Sequence, residues 1–535
     1  MISTRTALVV ATLLWAAAVA TGIALRPPLP VDETRYLTVA WEMWLRGDWL
    51  VPHLNGVPYS HKPPLLFWLI NAAWAVFGVS ETVARVVPTL FALAVIWLTA
   101  ALARMLWPER RALAGYAALM VAGSILFALY GSLVMFDLML AAFVLVATIG
   151  VVHAWRRGGK RGWLLFGLAL GGAILAKGPV ALLLALPAPL LAPFWARARR
   201  PLSWFRWYAG LIAGVLLGAA IGLAWAIPAA MAGGPDYEQA ILWGQTAGRM
   251  VKSFAHARPW WFFLVLLPVT FYPWVVWPPV WRGFRALKGR GFDDGLRLMA
   301  LWLVVVLVAF SMVSGKQLHY LMPLIPVASL AFARLALEAG ARVRPLDMAI
   351  PAVIAAAIGI GFAALPEIAS DLTPSVRAAA TIRALAGADP LWGIAMVVVA
   401  LAIVAAHRRL GEAVAGVAAL TLAIFFIVHV EASKTVMPRY DLRPLAELLG
   451  RHQDDGVAFG GSYHGELGFL GRLREPVAVP RAGARAAWLE ANPRGRLVMK
   501  FRDRPADPPW PPLIAKPYRG RALGVWRGRG VTDLE

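Results

Sequence analysis

Carboxylates and cations gather in one polar stretch, Val31 to Trp68, which follows the first apolar run and reads VDETRYLTVAWEMWLRGDWLVPHLNGVPYSHKPPLLFW. Asp32, Glu33, Arg35, Asp48, His61 and Lys62 all lie in it. Ionisable groups beside a bilayer are costly to keep without a partner or a task. Asp32 or Glu33 can serve as general base on an acceptor hydroxyl, or can hold the acceptor or a cation. Asp32 also stands where a helix N-cap belongs, after Pro30 and Val31. In His61-Lys62-Pro63-Pro64 the prolines stiffen the chain and remove two amide donors. A cation held so rigidly suits the phosphate of a lipid-linked substrate, whose departing charge it would stabilise. Snorkelling towards headgroups is the plainer role for Lys62.

Further along, Asp137 is a lone acid among Met, Phe and Leu in SLVMFDLML. It can share a substrate or a divalent cation with Asp32. Lys316, His319 and Tyr320 follow in SGKQLHYLMPLIP. Lys316 and Tyr320 are four apart and share a face if the segment is helical. Together they offer phosphate donors, or serve as interfacial anchors. Lys177, in AKGPVALLL, adds positive potential or pairs with a carboxylate. Arg249, Lys252, His256 and Arg258 lie in a longer loop that either binds an anionic acceptor or is simply solvated.

Several chemistries are excluded. The chain has no cysteine, so thiol catalysis and disulfides are out. It has no GxxxxGK[ST] loop and no HExxH. The formal net charge of +23 does not mean nucleic-acid binding, because most Arg sits in short loops between apolar runs, where it orients helices and meets anionic headgroups.

The elements that position these residues are membrane helices. Of 535 residues, 60% are hydrophobic and 15% charged, against about 25% charged in a soluble domain. Apolar runs of roughly the spanning length fall near 6–25, 83–106, 113–131, 138–155, 162–177, 179–196, 206–229, 259–281, 298–315, 320–337, 346–365, 390–406 and 411–430. Thirteen spans put every strongly basic loop (107–111, 155–161, 196–200, 281–297, 341–344 and 407–409) on the side of the N-terminus. The positive-inside rule makes that side cytoplasmic. The loop 26–82, the turns 132–137 and 315–319, the hairpin 177–179 and everything after about 431 then face the other side. The first 25 residues read as a retained signal-anchor helix. Glu33–Arg46 and Leu65–Phe77 read as interfacial helices, the first with Tyr36, Leu37, Ala40, Trp44 and Leu45 on its apolar side. The predicted organisation is a polytopic α-helical domain over 1–431 and a small α/β domain over 432–535, with strands in GVAFGGSY, RLVMKF and ALGVWRG and a helix at 440–451.

The series DETRY, GDWLVPHLNGVPYSHKPPLLFW, FDLML, AKGPVALL and KQLHYLMPLIP resembles the C-type integral-membrane glycosyltransferases of the protein mannosyltransferase-like group. Within them it is similar to the aminoarabinose transferases that modify lipid A, over residues 5 to 345. The resemblance implies the GT-C fold and an inner-membrane enzyme that uses an undecaprenyl-phosphate-linked sugar on the periplasmic face. Lipid A or a related envelope glycolipid would be the acceptor. It also implies a catalytic acid at Asp32-Glu33, with Asp32 the candidate, and donor-phosphate contacts from Arg35, Tyr59, Lys62 and Tyr320. No cofactor is required on this reading, and a divalent metal would fall to Asp32, His61 and Asp137. One position departs: His61 stands where these transferases commonly carry Glu, which bears on metal binding and on sugar identity. Within the class, the alternative acceptor is a protein or another glycan. The alternative of a different class is a lipid or solute transporter, which would place its ionisable groups near the bilayer midplane.

Overall fold

The structure, a computed structural model, describes residues 3–198, 203–243, 258–370, 384, 386–406, 409–502 and 507–528. Arg249, Lys252 and His256 lie outside the described residues.

Helix α1 (Thr4–Leu25) is followed by the polar stretch, which folds into α2 (Asp32–Arg46), a short hairpin and α3 (Leu65–Phe77). α2 ends where Gly47 turns left-handed (φ 64°) and its amide caps the Met43 carbonyl, a conformation that glycine adopts without Cβ strain. Tyr36, Leu37 and Ala40 are buried as their periodicity predicts, while Trp44 and Leu45 stay exposed. Next come α4 (Glu81–Leu106), the pair α5 (Ala112–Ala122) and α6 (Ile125–Gly131), α7 (Asp137–Arg157) and α8 (Lys160–Lys177).

Among the described residues, seven helices are long and apolar enough to cross a membrane: α1, α4, α7, Trp204–Gly233, Asp294–Met312, Pro345–Ala363 and Leu410–Thr435. The α5–α6 pair, bent by 66°, makes an eighth if it is one span. Each of the thirteen predicted runs carries helix, but among the described residues at most eight are long and apolar enough to span. The run at 179–196 breaks at prolines into Val180–Ala185, Pro187–Leu190 and Ala192–Trp195. The run at 259–281 breaks likewise into Phe262–Thr270, a 3-10 turn and Pro278–Leu287. Each proline deletes an amide donor and crowds the preceding turn. Leu324–Glu338 and Pro390–Ala406 are helical but short, and α8 carries Lys160, Arg161 and Lys177.

The α7–α8 hairpin fixes the level of the site. Gly150 and Gly162 meet so closely that a Cβ on either would sit 2.6 and 2.5 Å from the other's carbonyl oxygen. Small residues let helix backbones approach this way. Asp137 is 13 residues before Gly150 and Lys177 is 15 after Gly162, about 20 and 22 Å along their helices at 1.5 Å per residue. The first residue of α7 and the last of α8 therefore arrive at the same height.

At the opposite end the basic loops are knotted together. Trp107 donates to Asp293 (2.9 Å), Arg334 pairs with Asp293 (2.9 Å), and Arg110 and Arg334 both pair with Glu338 (2.6 Å each). The amides of Arg197 and Ala198 donate to Asp294, and Leu410 donates to the Ala341 carbonyl.

The hairpin between α2 and α3 pairs β1 (His53–Leu54) with β2 (Val57–Pro58), and the tail forms a four-stranded sheet. β3 (Val457–Gly460) runs parallel to β4 (Arg496–Phe501). β6 (Arg521–Trp526) lies antiparallel between β4 and β5 (Ile514–Tyr518). Helix Arg443–Arg451 packs Leu445 and Leu449 into the core beneath Phe459, Val498 and Val525. The preceding helix continues to Thr435, past the expected boundary at 431. β5 lies at the edge of the sheet, where its Pro517 and exposed Ile514 and Ala515 are tolerated.

Candidate active site

Asp137, buried at the start of α7, is ion-paired with Lys177 at the end of α8. Both charges sit where the helix dipoles favour them, acid at an N-terminus and cation at a C-terminus. The Lys177 ammonium also lies 5.0 Å from the centre of the Tyr320 ring. The His319 ring is 4.8 Å from Tyr320 and 6.2 Å from Tyr130. Burial pushes His319 down to about 4 against the pull of Asp137, with Lys177 and Lys62 adding to the shift, so it is neutral at neutral pH.

The 26–82 loop brings the other half. The Lys62 ammonium is 5.6 Å from the ring centre of Phe136, the residue before Asp137. Tyr59 is buried, with its ring 5.2 Å from His61 and 6.4 Å from Phe67. Tyr36 packs edge-on to Phe136 at 4.9 Å. Burial pushes its phenol well above the ordinary value, and Asp32, Tyr59 and Asp137 push it further, so it stays a proton-bearing donor. Asp32 is the first residue of α2 and is not a cap, since Val31 holds that position without a side-chain bond. Its carboxylate is 47% exposed and lies 3.8 Å from Arg35. An accessible acid thus stands beside a cationic, aromatic-lined group built from Arg35, Lys62, Lys177, Tyr36 and Tyr320. Such a group can take a proton from a hydroxyl and stabilise a phosphate.

The backbone path is shared with a solved enzyme. The structure superposes on the crystal structure of ArnT from Cupriavidus metallidurans bound to undecaprenyl phosphate with a TM-score of 0.75, covering 97% of each chain at 20% identity. The fold is that of the C-type glycosyltransferases. The apo form of the same enzyme gives the same score. The dolichyl-phosphate-mannose-protein mannosyltransferase family matches residues 61–225. An undecaprenyl phosphate-alpha-4-amino-4-deoxy-L-arabinose arabinosyl transferase of Pseudomonas fluorescens (strain Pf0-1) is 33% identical over 314 residues, 56% of this chain and 52% of its own. The Pseudomonas aeruginosa PAO1 transferase of that name is 34% identical over 305 residues, 56% of this chain and 54% of its own. The chain spans about half the length of these Pseudomonas relatives. The likeness agrees with the resemblance carried by the motifs, and the protein is a multi-pass membrane protein on the C-type glycosyltransferase fold.

Within that fold, Glu33 and Lys316 take positions other than those expected, and the expected metal ligands do not assemble. Glu33 is fully buried and both its oxygens are engaged. It pairs with Arg26, lies 3.8 Å from Arg85, and accepts from the amides of Leu29 and Val134 at 2.9 Å each. Burial alone would raise its pKa, but the two guanidiniums hold it below the ordinary value. It therefore ties the loop to the turn before α7, in place of the catalytic role assigned to either acid. Lys316 is also buried and donates to the carbonyls of Arg258 (3.1 Å) and Val313 (2.5 Å). It lies outside any helix, before the 3-10 turn Leu318–Leu321, so it shares no helical face with Tyr320. Among the described residues, no three His, Asp or Glu side chains come together as metal ligands. Asp32, His61 and Asp137 do not form such a set, and the Asp137 carboxylate already holds Lys177.

Other groups escaped the sequence reading. Tyr36 was legible one helical turn after Asp32. Arg26 and Arg85 look like ordinary flanking cations of their helices, and only the fold shows them converging on Glu33. His464, on the tail, is exposed; partial burial lowers its proton affinity against the pull of Glu466, with Arg35 and Lys500 adding to the shift. No local pattern links it to a residue more than 400 positions away.

Proposed function

We propose that the protein transfers a sugar from undecaprenyl phosphate to lipid A or a related envelope glycolipid, as in 4-amino-4-deoxy-L-arabinose transfer. The observation that carries this reading is the accessible Asp32 carboxylate beside Arg35, at the edge of a cluster holding Lys62, Lys177 and Tyr320. The acceptor hydroxyl attacks the anomeric carbon and gives its proton to Asp32. The bond from that carbon to the phosphate oxygen breaks, its electron pair stays on the phosphate, and the configuration inverts. Arg35, Lys62 and Tyr320 stabilise the departing phosphate, with Tyr59 beside them. Lys177 fixes Asp137 beside the phosphate site. Donor and acceptor both reside in the membrane, so the site supplies proximity with no nucleotide. No step needs a cofactor or a metal.

Support for the donor comes from the undecaprenyl phosphate bound to the related ArnT and from the names of the Pseudomonas relatives. The basic loops gather at the end opposite the site, which the positive-inside rule makes cytoplasmic. Asp32 and the tail then face the periplasm of a bacterial inner membrane. A protein or other glycan acceptor is the second reading, favoured by the mannosyltransferase match over 61–225.

The test is mass spectrometry of lipid A from cells with and without the gene. A sugar adduct that depends on the gene and disappears with Asp32→Asn supports the reading. An identical lipid A profile in both strains overturns lipid A as acceptor.

A further inference from the structure

The helix that carries Asp32 and Arg35 is held from the far end of the chain. Thr38, one turn after Arg35 on α2, is 2% exposed. Its hydroxyl donates to the Gly465 carbonyl at 2.8 Å and accepts from the Phe469 amide at 3.0 Å. Trp41, the next residue on that face, donates to the Leu473 carbonyl at 2.8 Å. Asn55, after α2, exchanges two hydrogen bonds with the Val477 backbone, at 2.9 and 2.7 Å. Phe469 itself leaves the tail's core. It stacks on Trp74 of α3 at 5.3 Å and joins the aromatic cluster of Tyr36, Phe67 and Phe136 under the site. The fit leaves no slack, because a Cβ on Gly468 would lie 2.6 Å from the Thr38 methyl.

We infer that the C-terminal domain is a positioning element for the transfer reaction, with Thr38 as its coupling residue: through Gly465 and Phe469 it fixes α2 and hence the pose of Asp32 and Arg35. This rests on the proposed function for its kinetic consequence but not for its structural one. The first turn of α2 is already tied to the membrane helices through Glu33, and its apolar side packs on Phe67 and Phe136. Side-chain bonds to its central turn, made by backbone groups of a separately cored domain, hold the opposite face and fix the rotation of the helix. Thr38 touches no reacting atom and acts through the helix.

The test uses the full-length protein and two conservative variants. Thr38→Val keeps the shape and loses both hydrogen bonds, while Thr38→Ser keeps the hydroxyl. Amide hydrogen exchange over Arg35–Val39 is measured in each, together with transfer from undecaprenyl-phosphate-linked aminoarabinose to lipid A. We expect at least tenfold faster exchange in Thr38→Val and at least a fivefold fall in kcat with donor KM within twofold. Thr38→Ser should restore both. Unchanged exchange in Thr38→Val, or equal losses in the Val and Ser variants, overturns the coupling. Loosened exchange with wild-type kcat overturns positioning. If the wild-type protein transfers no sugar, the proposed function fails on its own, and the exchange arm still decides whether the tail holds α2.

Discussion

Lys177 closes the α7–α8 hairpin by pairing with Asp137, forty residues earlier and at the same height in the bundle. Neither charge is left alone in the apolar interior, and each sits at the helix end whose dipole favours it. Breaking such a pair strands the surviving charge. Lys177→Met should destabilise the protein by about 3–5 kcal/mol. Combining it with Asp137→Asn should recover much of that loss, because no buried charge remains. Unfolding in detergent, run as a double-mutant cycle, checks both. A single variant as stable as wild type would mean that the pair does not hold the hairpin.

Glu33 makes stability depend on pH. Its carboxyl is held below the ordinary value of 4.5 by Arg26 and Arg85. A depressed folded-state pKa contributes stability that is fully present above the unfolded value and is lost as pH falls through the folded value. Thermal stability should therefore drop with acid below pH 4.5, and Glu33→Gln should start lower and show a flatter acid limb. Melting curves from pH 3 to 7 decide it, and parallel limbs in the two proteins would mean that Glu33 does not set the acid limb.

Lys62 should act on the donor. A charge-assisted hydrogen bond contributes about 1.5–3 kcal/mol, so Lys62→Ala should weaken undecaprenyl phosphate binding by about 10- to 100-fold. Titration of the purified protein with that lipid measures it. Wild-type affinity would mean that the ammonium only snorkels.

His319 should not shape the pH–rate profile near neutrality. With its pKa pushed down to about 4, the ring is uncharged from pH 6 to 8. His319→Gln should leave the slope of log kcat against pH unchanged across that window. A limb near pH 6.5 that vanishes in the variant would contradict the buried, neutral ring.

Much of the site was legible because charge beside an apolar run has few uses. That argument singled out Asp137, Lys177 and Lys62. Their partners were not legible, since an ion pair forty residues apart is a consequence of helix packing. Asp32 and Glu33 show the limit more sharply. They are adjacent, but successive residues on a helix point about 100° apart, so one meets solvent and the other meets Arg26 and Arg85. Lys316 resembled a phosphate ligand because its partners are backbone carbonyls, which no residue type reveals. Runs interrupted by proline looked continuous by hydropathy, which does not register a missing amide. The tail's sheet was half visible in its alternating strands, whereas its grip on Thr38 depends on one glycine at a close approach.

On the proposed function, Asp32 activates an acceptor against a polyprenyl-phosphate sugar. The direct measurement is single-turnover transfer by the purified protein, with undecaprenyl-phosphate-linked aminoarabinose and lipid A, in wild type and Asp32→Asn. General-base assistance contributes about 10²–10⁴-fold. The variant should therefore bind undecaprenyl phosphate as wild type does and transfer at least a hundredfold more slowly. Transfer by Asp32→Asn at the wild-type rate would mean that Asp32 is not the base.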